Sequence, residues 1–561
     1  MKRKEQEEIK LKDSGRYLAM YDVRGIQDYI FRTSKMKDAI GASHIVERLF
    51  ENALGEAVKK LGLKAELSWA DDNGPLIYED SSEADVKVMY IGGGNAVVVC
   101  DSEETALDVS KIMAAYTLEH TYSLQLATAI IDKSDDYSND YRRLMDEMVK
   151  VKDSMMVSKP LDALPVVKAE IKTGLPVSDI DYRTDLEKHK TYATEVSRES
   201  RLKIMAGDAV RRELDLEEKV FDSYVAEKGD SSMLAVVHID GNNIGLRIRE
   251  LISDKKDYSE AINEMRRISY SIKTAYKKVF RDMVGTFESI KAESKGTIKR
   301  DSSKWWIMKV IEAGDDITYV CNASIALATV EYFCSNISKY GMKDDGGSKF
   351  RFSACGGVSY FNSHFPFDIA YNVAEECCES AKSRAKEEQN RSGETVGNWV
   401  DFQFCRSVHA RNLERIRNEE YVTAAGENLL RRPYYIHSAD LAEGNPKFNE
   451  MQDTVISYSA FVKDMKAFVQ EESNLPRSYV KEMRNTYPLG RDQMKVLQAF
   501  LKSREKEADE STGQKEIKYP DEFYYLSEDG KYTALLYDAL EVADYFFSLD
   551  DLMSTTGKEA H

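Results

Sequence analysis

Apolar and polar positions along this chain fall into two runs of the same order. The first opens with Tyr17-Leu18-Ala19-Met20-Tyr21-Asp22-Val23, a nearly continuous apolar stretch that reads as a buried strand. Ile26 to Phe31 follows, then a helix-like stretch through Gly41 to Phe50. Val86 to Ile91 and Ala96 to Cys100 are apolar runs joined by Gly92-Gly93-Gly94-Asn95, the pattern of a tight hairpin. A helical period over Glu103 to Tyr122 and a strand over Leu124 to Ile131 complete the unit.

The second run starts with the strand Leu234-Ala235-Val236-Val237-His238-Ile239-Asp240 and a long amphipathic stretch from Tyr258 to Phe287. A hairpin comes next: Trp305 to Ile311, the turn Glu312-Ala313-Gly314-Asp315-Asp316, then Ile317 to Cys321. Trp305 and Trp306 fit strand core better than base stacking. A helix over Ala323 to Tyr340, a strand over Phe350 to Tyr360 and a helix over Pro366 to Lys386 close it. The repetition reads as an internal duplication of one domain, an antiparallel sheet with helices on one face, in the α+β class. Gly93-Gly94-Asn95-Ala96 then corresponds to Ala313-Gly314-Asp315-Asp316, and only the second turn keeps the acids.

The boundaries that follow are a charged lead-in at 1–14, a first domain at 15–135, a helical linker at 136–230, a second domain at 231–415 and a helical C-terminal domain at 416–561. A chain of 561 residues with 42% hydrophobic content has material for several cores. Its net charge of −18 argues against indiscriminate phosphate binding and leaves room for a local basic groove. No two of the seven cysteines make a Cys-x-x-Cys pair, so neither a zinc ribbon nor a disulfide framework is indicated. The first residues lack an apolar signal region and no stretch approaches a membrane span, so a cytoplasmic protein is expected.

Two adjacent carboxylates on a rigid hairpin tip are what a magnesium-dependent phosphoryl- or nucleotidyl-transfer site needs. Gly-Asp is also ordinary turn chemistry, so Asp315 and Asp316 alone leave both readings open.

Further motifs narrow the choice. Asp22-Val23-Arg24-Gly25-Ile26-Gln27-Asp28-Tyr29-Ile30-Phe31 with Gly41-Ala42-Ser43 resembles the opening of the first palm domain in the large polymerase-like subunit of type III CRISPR effector complexes. Asp240-Gly241-Asn242-Asn243-Ile244-Gly245 resembles that family's Asp-x-Asp-Asn-x-Gly strand end, and Ala313-Gly314-Asp315-Asp316 its Gly-Gly-Asp-Asp hairpin. Ala374-Glu375-Glu376 with Ala381-Lys382 is similar to its Ala-Glu…Ala-Lys helix. Arg431-Arg432-Pro433-Tyr434 and Leu475-Pro476-Arg477-Ser478 resemble the start of its C-terminal helical domain. The resemblance implies two ferredoxin-like palm domains, the first lacking an acidic pair, with a helical linker and a helical C-terminal domain. It also implies a nucleotidyltransferase that makes cyclic oligoadenylates from ATP in antiviral defence.

Carried over residue by residue, Asp240, Asp315 and Asp316 would be catalytic, and with the Gly241 carbonyl would hold Mg2+ or Mn2+. Gly241, Asn243, Gly314, Lys382, Gly93 and Gly94 would contact nucleotide, Lys382 neutralising the outgoing pyrophosphate. The first palm would form the facing wall of a composite pocket for two nucleotides, while Asp22 reads as structural. Guide-RNA effector subunits and target RNA are the implied partners.

The chain departs from the family in four ways. It starts almost directly at the first palm, without the His-Asp nuclease domain, so a signalling-only version or a stand-alone relative outside an ordinary CRISPR complex is expected; His44, His120 and His189 have no His-Asp neighbour and read as structural or surface residues. Lys172-Thr173-Gly174-Leu175-Pro176 resembles the tail of a zinc knuckle whose cysteines are missing, so no zinc is expected. Ala313 replaces a glycine and Asn242 an aspartate. These last two favour a rival reading, a non-catalytic scaffold; a GGDEF-like dinucleotide cyclase is the third.

Overall fold

The computed structural model describes residues 16–33, 36–80, 83–92, 94–156, 166–185, 190–213, 233–293, 306–343, 349–392, 397–407, 412–443, 446–452, 454–469, 475–504, 521–527 and 530–554. The charged lead-in, Gly93, His189 and Trp305 lie outside them. The chain divides into two compact units, Met1–Phe221 with Asn243–Thr274 and Val310–Asp315, and Asp222–Asn242 with Ala275–Lys309 and Asp316–His561.

In the first unit, β1 (Tyr17–Arg24) is followed by α1 (Ile26–Phe31), α2 (Met36–Glu47) and α3 (Leu49–Leu61). Then come β2 (Val86–Gly92), β3 (Asn95–Cys100), α4 (Glu103–Thr121), β4 (Gln125–Asp132) and α5 (Tyr137–Ser154). The strands lie in the order β2-β3-β1-β4, with Ala65–Glu66 extending the β2 edge. Successive residues of β1 point to opposite faces. Leu18 and Met20 meet Leu144 and Met148 of α5 in one core, together with Tyr258, Ile262 and Met265. On the other face, Ser110 of α4 donates to the Tyr21 hydroxyl at 3.2 Å.

The interval read as a helical linker also carries a hairpin, β5 (Val177–Asp185) with β6 (Lys190–Ser197), before α6 (Arg198–Glu213). Its strands alternate β-branched or aromatic residues with charged ones, and the polarity hid the period-2 pattern. At the knuckle-like turn, buried Glu170 accepts from Thr173 Oγ1 and Ser200 Oγ, both at 2.7 Å, and from Ser197 N at 3.2 Å. One carboxylate oxygen, Oε2, takes all three bonds and ties this turn to α6.

The larger sheet is built on β7 (Met233–Gly241), β8 (Ile307–Ala313), β9 (Asp316–Asn322), β10 (Ala354–Asn362), β11 (Asn398–Phe404) and β12 (Tyr434–Ile436), in the order β8-β9-β7-β10-β11-β12. Its first four strands repeat the order of the first unit. That is the ferredoxin-like arrangement in both copies, and the duplication is real. Trp306, at the head of β8, is buried.

Helices on one face only was the expectation, and this sheet corrects it. β11 runs parallel to β10, and a parallel neighbour needs a crossover. That crossover is α10 (Phe367–Ser392); earlier in the chain lie α7 (Ile244–Ile252), α8 (Tyr258–Glu293) and α9 (Ala326–Ile337). Two adjacent glycines on β10 reveal the sandwich. A Cβ on Gly356 would meet Val330 Cγ1 of α9 at 2.6 Å, and one on Gly357 would collide with the backbone of Ala374 and Cys378 on α10. The sheet therefore carries α9 on one face and α10 on the other, each at close approach.

The segment from 412 onward includes α11 (Leu413–Glu420), α12 (Tyr458–Phe468), α13 (Arg477–Thr486), α14 (Arg491–Lys502), α15 (Tyr537–Val542) and α16 (Leu549–Ser554). It also gives β12 to the sheet, across the expected boundary at 416. All seven cysteines are buried free thiols. No helix among the described residues is long and apolar enough to cross a membrane.

Candidate active site

β7 and β9 pair antiparallel, with His238 opposite Thr318 and Ile239 opposite Ile317. One step further along the ladder, Asp240 falls opposite Asp316. Opposed residues share a face, so both carboxylates project on the side covered by α10. From that helix Lys382 donates to Asp240 Oδ2, and Glu379 Oε1 lies 3.5 Å from the same ammonium. Burial works against the Lys382 charge, but Asp240 more than offsets it and holds the ammonium's pKa well above the usual lysine value.

Asp316 is the stressed member. Its Oδ1 is buried without a hydrogen bond, although the carboxylate keeps 31% of its side-chain surface open. Burial first, then the charges of Asp240 and Glu375, push its pKa up to about 8 against the pull of Lys382. His238 Nδ1 lies 2.9 Å from Thr318 Oγ1 and 3.4 Å from Asp316 Oδ1. The imidazole packs edge-on against Tyr371 of α10, and burial pushes its pKa below the ordinary histidine value, opposed by Asp240 and Glu375. Burial raises the Tyr371 hydroxyl too, helped by Asp316 and Glu375.

The structure thus brings together Asp240, Asp316 and Lys382. Gly241 is the last residue of β7, Gly314 takes a left-handed φ of 70° in the turn, and half-buried Asp315 follows it. Asn243, at φ 56°, is the N-cap residue of α7 without a side-chain capping bond. Gly94 has φ 78° in the first unit, where a Cβ would meet Ile26 Cδ1 at 3.2 Å. Ala313 is exposed at the end of β8, so its methyl is accommodated.

Asn242 turns away from the acids. Its Nδ2 donates to Gly397 O at 3.0 Å and Ser353 Oγ at 3.1 Å, in a buried setting. A carboxylate could not donate to that carbonyl, so an amide suits the position. His238, Thr318, Tyr371 and Glu375 were not among the sequence candidates. Their signal was placement: two residues before Asp240, two after Asp316, and about three and two helical turns before Lys382, with Glu375 also inside the Ala374-Glu375-Glu376 motif.

The register also shifts the match between the copies by one residue. Asp22 pairs with Asn95 and occupies the place of Asp240, so Asn95 answers to Asp316 and Gly94 to Asp315. Lys152 of α5 donates to Asp22 Oδ2 at 2.7 Å, as Lys382 of α10 does to Asp240. The helix after the fourth strand and its lysine belong to the repeated unit.

Among the described residues no group of three or more His, Cys, Asp or Glu side chains is gathered as a metal cage. A magnesium ion needs less, one or two carboxylates with waters and phosphate oxygens. Asp240 and Asp316 fit that requirement: two acids on one face of the sheet, with part of the Asp316 side chain still open.

No family model matches the sequence, and no curated protein matches it. Among solved structures, similarity extends to crystal structures of a Csm1–Csm4 cassette. One, in complex with cA4, has a TM-score of 0.41 at 14% identity, covering 66% of this chain and 53% of that one. The fold neighbours are Csm1–Csm4 chains. A cassette complex with one ATP aligns at 15% identity with a TM-score of 0.41, over 67% of this chain and 54% of the other. The Csm1–Csm4 subcomplex of the type III-A CRISPR-Csm interference complex aligns at 15% identity and 0.40, over 66% and 53%. The chain spans about half the length of these Csm1–Csm4 chains.

Proposed function

We propose that this chain is a metal-dependent nucleotidyltransferase that joins ATP into cyclic oligoadenylate-type second messengers, in antiviral defence of the type III CRISPR kind. The observation that carries the chemistry is the pairing of Asp240 and Asp316 at adjacent strand ends beneath Lys382. The choice of ATP and of the product rests on the motif resemblance, as do guide-RNA effector subunits and target RNA as partners.

Attack of a 3′-hydroxyl on the α-phosphate forms a new P–O bond and expels pyrophosphate. Asp240 and Asp316, with Asp315 and the Gly241 carbonyl, would hold Mg2+ or Mn2+. The ion, when bound, neutralises phosphate charge and favours the ionised hydroxyl. Lys382 keeps its charge throughout, so it can leave Asp240 for a phosphate oxygen of the departing pyrophosphate. Open space beside Gly314 leaves the backbone approachable by nucleotide.

A scaffold that binds nucleotide without turnover is the second reading, favoured by the ion pair that occupies Asp240. Incubation with ATP and Mg2+ or Mn2+, products read by mass spectrometry, separates the two beside an Asp315→Ala/Asp316→Ala variant. Oligoadenylates that vanish in the variant are expected. Products that persist there would refute the site. Nucleotide binding without product, even with RNA and partner subunits added, would establish the scaffold.

A further inference from the structure

The Thr318–His238–Asp316 contact is unused by the chemistry above, and it is built with care. His238 is 5% exposed, fixed between β9 and the Tyr371 ring on α10. Its Nδ1 faces two oxygens at once, Thr318 Oγ1 at 2.9 Å and Asp316 Oδ1 at 3.4 Å. With Asp316 ionised, as a bound cation requires, a lone pair on Nδ1 could still accept from Thr318 but would face the carboxylate oxygen across a buried gap. With the proton on Nδ1, both contacts become favourable. The hydrogen leans toward Thr318 and is shared with Asp316 Oδ1, a buried oxygen without a hydrogen bond of its own.

We infer that His238, as the Nδ1–H tautomer braced by Thr318, is a positioning residue: it fixes Asp316 Oδ1 so that the other carboxylate oxygen points to the cation. The inference rests on the metal reading of Asp316. Outer-shell partners that orient a ligating group typically change metal affinity about 10–100-fold when removed. The role belongs to a donor at one place in the fold, not to the imidazole as such. Asparagine can put an N–H near the Nδ1 position, whereas leucine keeps bulk and loses the donor.

The test is Mn2+ binding to the full chain, read by electron paramagnetic resonance with a non-hydrolysable ATP analogue present. Nucleotide binding in chelator and the melting temperature are measured alongside. His238→Leu should weaken Mn2+ binding about 10-fold or more while nucleotide binding in chelator stays as in the wild type. His238→Asn should recover most of the loss, and Thr318→Val should fall between. Wild-type Mn2+ affinity in a folded His238→Leu protein would overturn the role. So would equal losses in the Leu and Asn variants, which would mark His238 as packing alone. A wild-type protein that binds no Mn2+ would refute the metal site itself, a separate outcome from either.

Discussion

At the residue scale, the site is defined by a carboxylate that the fold makes uncomfortable. Asp316 sits on a strand beside Asp240 with one oxygen buried, and its pKa rises to about 8 rather than falling as in a surface ion pair. The sign of the linkage follows. The native state binds a proton that the unfolded chain has released, so without metal its stability falls as pH rises from about 4 to about 8. Asp316→Asn removes that ionisation and should make the metal-free protein more heat-stable at pH 8.5 than the wild type. The gain should be roughly 1 kcal/mol, or about 2–4 °C, and should disappear at pH 4. Calorimetry at the two pH values checks it, and equal shifts at both would show that the carboxylate is not strained. Mg2+ should close the gap at high pH, since a cation replaces the proton. Asp240, Asp316 and Lys382 were legible because each lies in a short motif of unusual composition. His238 and Tyr371 were not, because a histidine in a strand and a tyrosine in a helix look ordinary until two elements cross.

At the element scale, the glycine pair on β10 decides how near α10 comes to the acids. Gly357 lies opposite His238 in the ladder, under the backbone of Ala374 and Cys378, about two turns and one turn before Lys382. Gly357→Ala would push the helix off the sheet and draw the ammonium away from Asp240. Overpacking of this kind costs about 1–3 kcal/mol, and a collision with backbone belongs at the upper end. Gly285→Ala is the matched control, on the exposed side of α8 with nothing within 4 Å of the new methyl. It should stabilise the protein by about 0.5–1 kcal/mol. Urea denaturation of both variants checks the pair, and a neutral Gly357→Ala would mean that α10 is free to shift. Periodicity made the hairpins and long helices legible, since apolar runs broken by Gly-rich turns have few alternatives. The sandwich of helices was hidden, because the closeness of two helices is written in two glycines that a strand pattern reads only as weak spots.

At the scale of the whole molecule, the C-terminal segment is not an appendage of the second unit. Arg432, fully buried, donates to Asp538 Oδ1 at 3.0 Å, Glu541 Oε2 at 2.9 Å and Gln403 Oε1 at 3.1 Å, joining α15 to strand β11. Asp538 Oδ2 also accepts from the amides of Arg431 and Arg432, both at 3.0 Å, and from the Tyr434 hydroxyl at 2.7 Å. In the sequence the Arg431-Arg432 pair stood only in a motif that resembles the start of a C-terminal helical domain. Only the distant acids at 538 and 541 turn it into a core, and no local pattern links positions about a hundred apart. The consequence is measurable. Asp538→Ala strands the Arg432 guanidinium, two amides and a hydroxyl in the interior, and breaking a buried pair in this way costs about 3–5 kcal/mol. Lys466→Ala removes a partly exposed pair with Asp551 at 2.7 Å and should cost about 0–1 kcal/mol. If chemical denaturation finds the two variants alike, water reaches the Arg432 cluster and α15 is a loose attachment. If Asp538→Ala is crippled as expected, the sheet that carries Asp240 and Asp316 cannot hold its shape without residues more than two hundred positions further along the chain.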